Sequence, residues 1–491
     1  MYKLVGKALI GALAGASLTT ALMVRGADAK ANPHPQAAVE RGEHSDEHSH
    51  RSPLAAWVEL GANSQAIARV IVSDRLCPFI QLDDSWHEMW LRARAETIPQ
   101  RTTTSPPEDS KPSAFPVTTC EYAIPDRTRF ARVMSTVLPL PKRNPRRIVI
   151  LGDTGCRLLI GDPWQACSDP DEWPFHRIAE TAARFKPDLV LHVGDYQYRE
   201  NECPPDIGGC QGSPWGYGWD TWEADLFKPG AKLLEAAPWI VVRGNHELCT
   251  RAGQGWYRFL DTEPYRSVRT CNDPANDAIA NYNDPYAVRI GDDTQIIVFD
   301  SSAVPKSKLP AGDPAFAKYQ DELTQVAVLA ANNPNGLNIW TNHHPLLAFS
   351  PVAGTAPTGG NPGLLSVMYA TYGPNYYPPG IDLALHGHTH IFEALNFSTN
   401  HPAMIMNGNG GDNLDINLPD PFPSDAHPDA AFASVVDVQE IADTSTFGFM
   451  VADREGGGRW TFRAYTRDGR QLTSCRFAAS KIACSKLGFL H

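Results

Sequence analysis

The chain has no surplus of positive charge. Across 491 residues it carries 43 Lys and Arg against 55 Asp and Glu, a net charge of −12. That balance excludes the basic footprint of a nucleic-acid binder. An anionic substrate would have to meet positive charge supplied locally, by a metal or a few arginines. The ten cysteines contain no C-x-x-C pair, which excludes a zinc ribbon or a redox dithiol. No internal repeat is present, and beyond Val24 no run is long and apolar enough to cross a membrane. The glycine-rich stretch Gly208-Gly209-Cys210-Gln211-Gly212-Ser213-Pro214 lacks the lysine of a phosphate-binding P-loop and reads as a surface loop. Apolar residues, by contrast, are plentiful. They make up 42% of the chain, enough for a large core and too many for a disordered polymer. The length predicts two or three domains, or one large α/β domain with a small companion.

Residues 1–29 read as a secretory signal peptide. Lys3 and Lys7 precede the uncharged run from Ala8 to Val24, and Ala27-Asp28-Ala29 supplies a small-x-small cleavage site after Ala29. An uncleaved anchor is the alternative, at the short limit for a bilayer span. No twin-arginine pair precedes the run, so export in the unfolded state is expected. A secreted or periplasmic location suits the cysteines, which should pair in an oxidising compartment. Neighbour pairing, the simplest choice, predicts Cys77–Cys120, Cys156–Cys167, Cys203–Cys210, Cys249–Cys271 and Cys475–Cys484. Scattered buried thiols are the rival reading.

Residues 30–52 form a polar leader with the run Glu43-His44-Ser45-Asp46-Glu47-His48-Ser49-His50. It is read as a solvated, flexible segment, with stray metal binding as the alternative. From 53 to 140, short β-branched or alternating runs such as Ala66–Val72 and Arg129–Met134, separated by turn residues, predict a small all-β domain, sandwich-like. Pro139 to Pro145 is a stiff linker. From 147 to 491 the rhythm changes to α/β. Strands are expected at 147–151, 189–193, 239–243, 295–299, 337–341, 382–386 and 403–406, with helices at about 171–185, 219–235 and 315–332. Ser350 to Gly380 is read as a rim loop that shapes specificity.

Polar residues gather where five of these strands end. The tips carry Gly152-Asp153-Thr154-Gly155, Gly194-Asp195-Tyr196-Gln197-Tyr198, Gly244-Asn245-His246-Glu247, Asn342-His343-His344-Pro345 and Gly387-His388-Thr389-His390. Open α/β sheets bind ligands beyond the carboxyl ends of their strands. Carboxylate, phenolate, amide oxygen and imidazole are hard or borderline donors suited to iron, manganese or zinc. They outnumber the needs of one four-coordinate zinc, so two metals sharing a carboxylate are expected.

The five blocks resemble the signature of the binuclear metallophosphoesterases (the calcineurin-like phosphoesterase superfamily), in the version carried by purple acid phosphatases: D-x-G, G-D-x-x-Y, G-N-H-[DE], x-x-x-H and G-H-x-H. The matches are Asp153 and Gly155; Gly194, Asp195 and Tyr198; Gly244 to Glu247; His343; and Gly387, His388 and His390. They span about half the chain, 147–411. Most of the superfamily has D-x-H in the first block. Here Gly155 replaces that histidine and Tyr198 fills the vacancy, which marks the purple acid phosphatase-like subgroup. The fourth block offers two histidines. Its place before x-Pro assigns ligation to His343, with His344 as the alternative or as a substrate contact.

The resemblance implies a layered sandwich of two central mixed sheets flanked by helices. It implies one ion on Asp153, Tyr198 and His390, a second on Asn245, His343 and His388, and Asp195 bridging them at ~3.5–4 Å metal–metal separation. A phenolate favours a trivalent ion, so Fe(III) with a divalent partner (Zn, Fe or Mn) is the expected pair. The implied reaction is hydrolysis of phosphate monoesters by a metal-bound hydroxide attacking in line. His246 would contact or protonate the leaving-group oxygen, and Glu247 would orient that imidazole or a ligand. Arg157 and Arg199 are candidate phosphate contacts, with ordinary salt bridging as the rival. His192 and His386, inside strands, read as core histidines. Seven tryptophans, Trp164, Trp173, Trp215, Trp219, Trp222, Trp239 and Trp256, either pack the disulfide-tied loops or wall an apolar leaving-group pocket. The expected partner is a small phosphorylated molecule. A phosphodiesterase with the same centre, acting on nucleotides or lipid headgroups, is the nearest rival; a non-catalytic metal- or phosphate-binding protein is a second.

Overall fold

The computed structural model describes residues 52–485; the expected signal peptide and most of the leader lie outside them. Two large sheets form the centre. The first has eleven strands, in the order Lys481–Cys484, Gln471–Ala478, Arg459–Thr466, Gly448–Gly456, Arg147–Leu151, Leu189–His192, Trp239–Val241, Ala55–Leu60, Ala66–Val72, Thr118–Ile124 and Trp90–Ala93. The second has seven: Tyr286–Ile290, Thr294–Val298, Leu337–Thr341, Leu383–His386, Ala403–Asn407, Phe392–Phe397 and Val438–Thr444. Both are mixed. The middle strands run parallel, in registers such as Ile148↔Leu189 and Ile339↔Leu383, and antiparallel strands close the edges.

Strand alternation builds the layers. Ile148 and Ile150 enter one apolar cluster with Ile296, Val298, Leu383 and Leu385 of the other sheet, so the sheets pack face to face. Val149 and Leu151 point the opposite way, onto the helices Phe175–Arg184 and Ala231–Ala236. Ile297 and Ala384 likewise face Pro314–Ala331 and Pro362–Tyr372. The result is the layered α/β sandwich expected, with helices on both outer faces.

The strands expected from 147 onward are present within a residue or two at each end. The helix expected at 219–235 is broken into Trp219–Trp222, a wide turn at Glu223–Phe227, and Ala231–Ala236. At the break, Gly230 lies so close to the Leu226 carbonyl that a Cβ would sit 2.6 Å from it. Part of the expected rim loop is a helix, Pro362–Tyr372. Its cap is Asn361, whose side chain accepts from Leu364 N, followed by a proline at the first turn. Its Pro, Gly and Tyr content masked it in the sequence.

The N-terminal region is β-rich, and its strands cross the boundary expected near 140. Glu59 pairs with Trp239 in parallel, so Ala55–Leu60 and the three strands beyond it extend the first catalytic sheet. A four-stranded sheet from 79–88 and 131–137 and a two-stranded one from 96–98 and 113–115 complete the region. All five disulfides are those expected by neighbour pairing. No described helix is long and apolar enough to cross a membrane.

Candidate metal centre

The parallel strands bring their carboxyl ends to one edge, and each expected block occupies a tip there. Sharp reversals put the donors in place. Asp153 and Asp195 adopt φ 57° and His388 φ 78°, the left-handed region that non-glycine residues seldom occupy. Gly194, at φ 106°, lets His343 approach so closely that a Cβ would sit 2.5 Å from its Nδ1. At Gly244 a Cβ would lie 2.0 Å from Asp195 Oδ1.

All seven expected donors converge. Tyr198 Oη lies 3.0 Å from Asp153 Oδ1, 2.9 Å from Asp195 Oδ2 and 3.2 Å from His390 Nε2. His343 Nε2 lies 3.0 Å from Asp195 Oδ2, 3.2 Å from Asn245 Oδ1 and 3.3 Å from His388 Nδ1. One oxygen, Asp195 Oδ2, therefore touches both groups. Donor atoms of Asp195, His343 and His388 all lie within 4.8 Å of one another. Asp153, Asp195, Tyr198, His343 and His390 are buried.

Tautomers are set from behind. His343 Nδ1 donates to Val193 O at 2.9 Å and His390 Nδ1 to Asn413 O at 2.7 Å, so both direct Nε2 inward. His388 offers Nδ1 instead. The electrostatics draw positive charge. Burial opposes protonation of His343, yet Asp195 and Asp153 raise its pKa to about 9. Burial likewise opposes protonation of His390, and Asp412 and Asp153 raise it to about 9. Burial would raise the Asp195 pKa, but His343 and His246 hold it well below the usual carboxylate range. The carboxylates of Asp153 and Asp195, the Tyr198 phenol and the inward-facing imidazoles are packed at 2.9–3.3 Å. This donor set fits hard or borderline cations.

His246 flanks the cluster. Its Nδ1 is 2.9 Å from Glu200 Oε1, its Nε2 3.9 Å from Asp195 Oδ2, and its ring centre 3.8 Å from that of Tyr198. Glu200 is held by both oxygens through Arg251 and accepts from Tyr217 Oη at 2.7 Å. Burial would raise the Glu200 pKa, but Arg251 and His246 pull it well below the usual range. The His246 pKa is lowered by burial and then by Arg251, against Asp195 and Glu200. Glu247 does not face that imidazole. Its carboxylate accepts from the backbone N–H groups of Asp195, Tyr196, Gln197 and Gly244 at 2.9–3.3 Å and braces the turn that carries Asp195.

The two arginines expected at a substrate phosphate are engaged inside the protein. Arg157 binds Asp412 and Asp162. Arg199 binds Asp225 at 2.5 Å and lies over Trp173. His344 sits behind His388, ring centres 4.4 Å apart, with Nδ1 3.3 Å from Ser301 Oγ. His192 and His386 are core histidines, bonded to Thr154 Oγ1 and Asn342 O respectively. Trp219, Trp222, Trp239 and Trp256 pack in the core with the outer helices. Trp164 and Trp173 pack against the disulfides Cys156–Cys167 and Cys203–Cys210.

Sequence reasoning missed Glu200, Arg251, Asp225 and Asp412. Asp225 accepts from Cys156 N and Tyr198 N, tying the first two tips together. A signal existed for Asp412: the strand Ala403–Asn407 runs into Gly408-Asn409-Gly410-Gly411-Asp412, a sixth strand tip with glycines and an aspartate.

The model of the calcineurin-like phosphoesterase family matches residues 146–392. The chain belongs to that family. As a calcineurin-like phosphoesterase it is a phosphoester hydrolase of a class that works with two metal ions. Among solved structures it is similar to the purple acid phosphatase PPD1 from yellow lupin (Lupinus luteus) seeds. The identity is 14%, coverage is 85% of this chain and 73% of that one, and the TM-score is 0.50. It is also similar to PhoD, with 10% identity, coverage of 89% and 93%, and a TM-score of 0.48. The lupin likeness shows a shared fold. No curated protein matches the chain significantly.

Proposed function

We propose that this phosphoesterase hydrolyses phosphate monoesters outside the cytoplasm. In this reading Asp153, Tyr198 and His390 hold a trivalent iron, and Asn245, His343 and His388 hold a divalent zinc, iron or manganese. Asp195 would serve both. The observation that carries the reading is the shared oxygen: Asp195 Oδ2 stands 2.9 Å from Tyr198 Oη and 3.0 Å from His343 Nε2, between two separate donor groups. Two cations held there would supply positive charge for the phosphoryl oxygens and lower the pKa of a water.

The chain's own residues do the rest. Glu247 and Asp225 fix the backbone of the tips, so the donors are aimed before any ion arrives. The Nδ1 of His246 faces Glu200, which leaves Nε2 on the Asp195 side as the atom that contacts the leaving-group oxygen and gives it a proton. Glu200, kept anionic by Arg251, favours the imidazolium needed for that transfer. The five disulfides support an oxidising compartment and hence export through residues 1–29.

Elemental analysis of purified protein, with rates on p-nitrophenyl phosphate and bis-p-nitrophenyl phosphate at several pH values, tests the reading. Two metals per chain and faster monoester turnover are expected. One metal rejects the centre, and faster diester turnover makes the enzyme a phosphodiesterase. N-terminal sequencing of exported protein should begin at Lys30.

A further inference from the structure

Asp412 is buried beside the tyrosine-side donors and has no role in the family signature. Its Oδ2 lies 3.6 Å from His390 Nε2, as near as Asp153 Oδ1 at 3.5 Å. The segment that carries it is built for close approach. At Gly410 a Cβ would stand 2.3 Å from Gly152 O, and at Gly411 one would stand 2.4 Å from Thr154 O. Bare backbone thus packs on the first metal tip, and Asp412 N donates to Asp153 O at 2.9 Å. Arg157 completes the arrangement. Its Nε donates to Asp412 Oδ1 at 3.0 Å, its Nη2 pairs with Oδ2, and its guanidinium carbon lies 4.8 Å from the centre of the Tyr198 ring. Asp412 also accepts from Asn413 N at 2.7 Å.

We propose that Asp412 and Arg157 are a positioning pair that sets the charge preference, and so the reduction potential, of the ion on Asp153, Tyr198 and His390. The inference rests on the iron–phenolate reading above. A buried carboxylate beside the ion favours the trivalent state. A guanidinium over the phenolate favours the divalent one. In a site shielded from water both effects are strong. Paired, they hold the ion trivalent without locking it there, while Arg157 keeps Asp412 aimed at His390.

Spectroelectrochemical titration of the holoenzyme tests this, with the visible iron–phenolate band following reduction by dithionite through mediators. D412N should raise the midpoint potential, and R157M should lower it. The double variant R157M/D412N should return close to wild type, because both charges are gone together. A pair that served only packing would leave the potentials in place, or move both single variants the same way, and either result overturns the proposal. Should D412N fail to hold iron, R157M and R157K decide: the first must lower the potential, and the second, which keeps the charge, must not. A wild-type enzyme with no visible band rejects the iron–phenolate reading itself. A coloured enzyme whose potential ignores both substitutions rejects only the pair.

Discussion

The E200Q substitution is the sharpest probe of how His246 works. The Glu200 side chain bonds to none of the expected metal donors; it lies 2.9 Å from His246 Nδ1. The glutamine keeps the shape and an acceptor but removes the charge. With charge centres ~4 Å apart and an effective dielectric of ~20, the lost attraction is about 4 kcal/mol. That corresponds to about three pKa units of imidazolium stabilisation. Arg251, left without its anionic partner, works in the same direction. The expected outcome is a fall in kcat of about 10²–10³ on an ester with a poor leaving group, within the usual range for a general acid. KM should change little, because Glu200 does not meet the substrate. Parallel kcat measurements on phenyl phosphate and p-nitrophenyl phosphate supply the assay. The nitrophenolate leaves with little protonic help, so its loss should be much the smaller. Metal content must stay at the wild-type value. Equal losses on the two esters, with both metals retained, would refute the proton-delivery role.

Three further outcomes are expected. Y198F should abolish the visible band, since the phenolate oxygen is its source; a colourless yet fully active wild-type enzyme would reject iron at that position. H246A should lower turnover by about 10²–10⁴ and leave metal content intact, whereas loss of metal would make His246 a ligand. E322Q should stabilise the protein at alkaline pH. Burial and then Asp300 push the Glu322 carboxyl up to about 9, against Lys318, whose Nζ lies 3.3 Å from Oε1. The folded state keeps that proton longer than the unfolded chain, so wild-type stability falls as pH rises from about 4.5 towards 9. The two unfolding curves should coincide near pH 4 and separate by up to about 5 kcal/mol at pH 8, at 1.36 kcal/mol per unit. A constant gap across that range would show the carboxyl is not buried in its charged form.

The convergence of the proposed donors was legible because each belongs to a local pattern. Asp153, Asp195, Asn245, His343 and His388 each follow an apolar strand within a few residues, and parallel strands must deliver their tips to one edge. The supporting residues were not legible, because their partners are settled by three-dimensional turns. Glu247 is adjacent in sequence to His246 and was expected to orient that imidazole or a ligand. The tight turn Asn245–Glu247 sends its side chain under Asp195, the second of those alternatives. The carboxylate that reaches His246 is Glu200, 46 positions earlier, delivered by the loop after Tyr198. The arginines show the salt bridging that was the rival to phosphate contact, for a similar reason: the buried carboxylates Asp412 and Asp225 hold them. The N-terminal region shows the same limit at the level of the sheet. Its runs predict strands correctly at Ala66–Val72, but nothing local announces that Glu59 will pair with Trp239 and carry the sheet across the linker.

The backbone at the tips joins these supports to the chemistry. Asp153, Asp195 and His388 hold left-handed conformations, each unfavourable by about 1 kcal/mol or more for a residue with a side chain. Such turns persist only when their surroundings over-determine them. Glu247 binds four backbone N–H groups around Asp195, and Asp153 Oδ1 and Oδ2 accept from His388 N at 3.2 and 3.1 Å. The His388 turn is therefore fastened by the side chain of a donor from the other sheet, and the two sheets are registered through the site itself. Asp153 thus has two duties, so D153A should disturb the His388 tip even where no metal is present. Hydrogen exchange of the metal-free protein at 387–390 reads that coupling. An unchanged rate there would mean that the sheets hold the tips in place without the site.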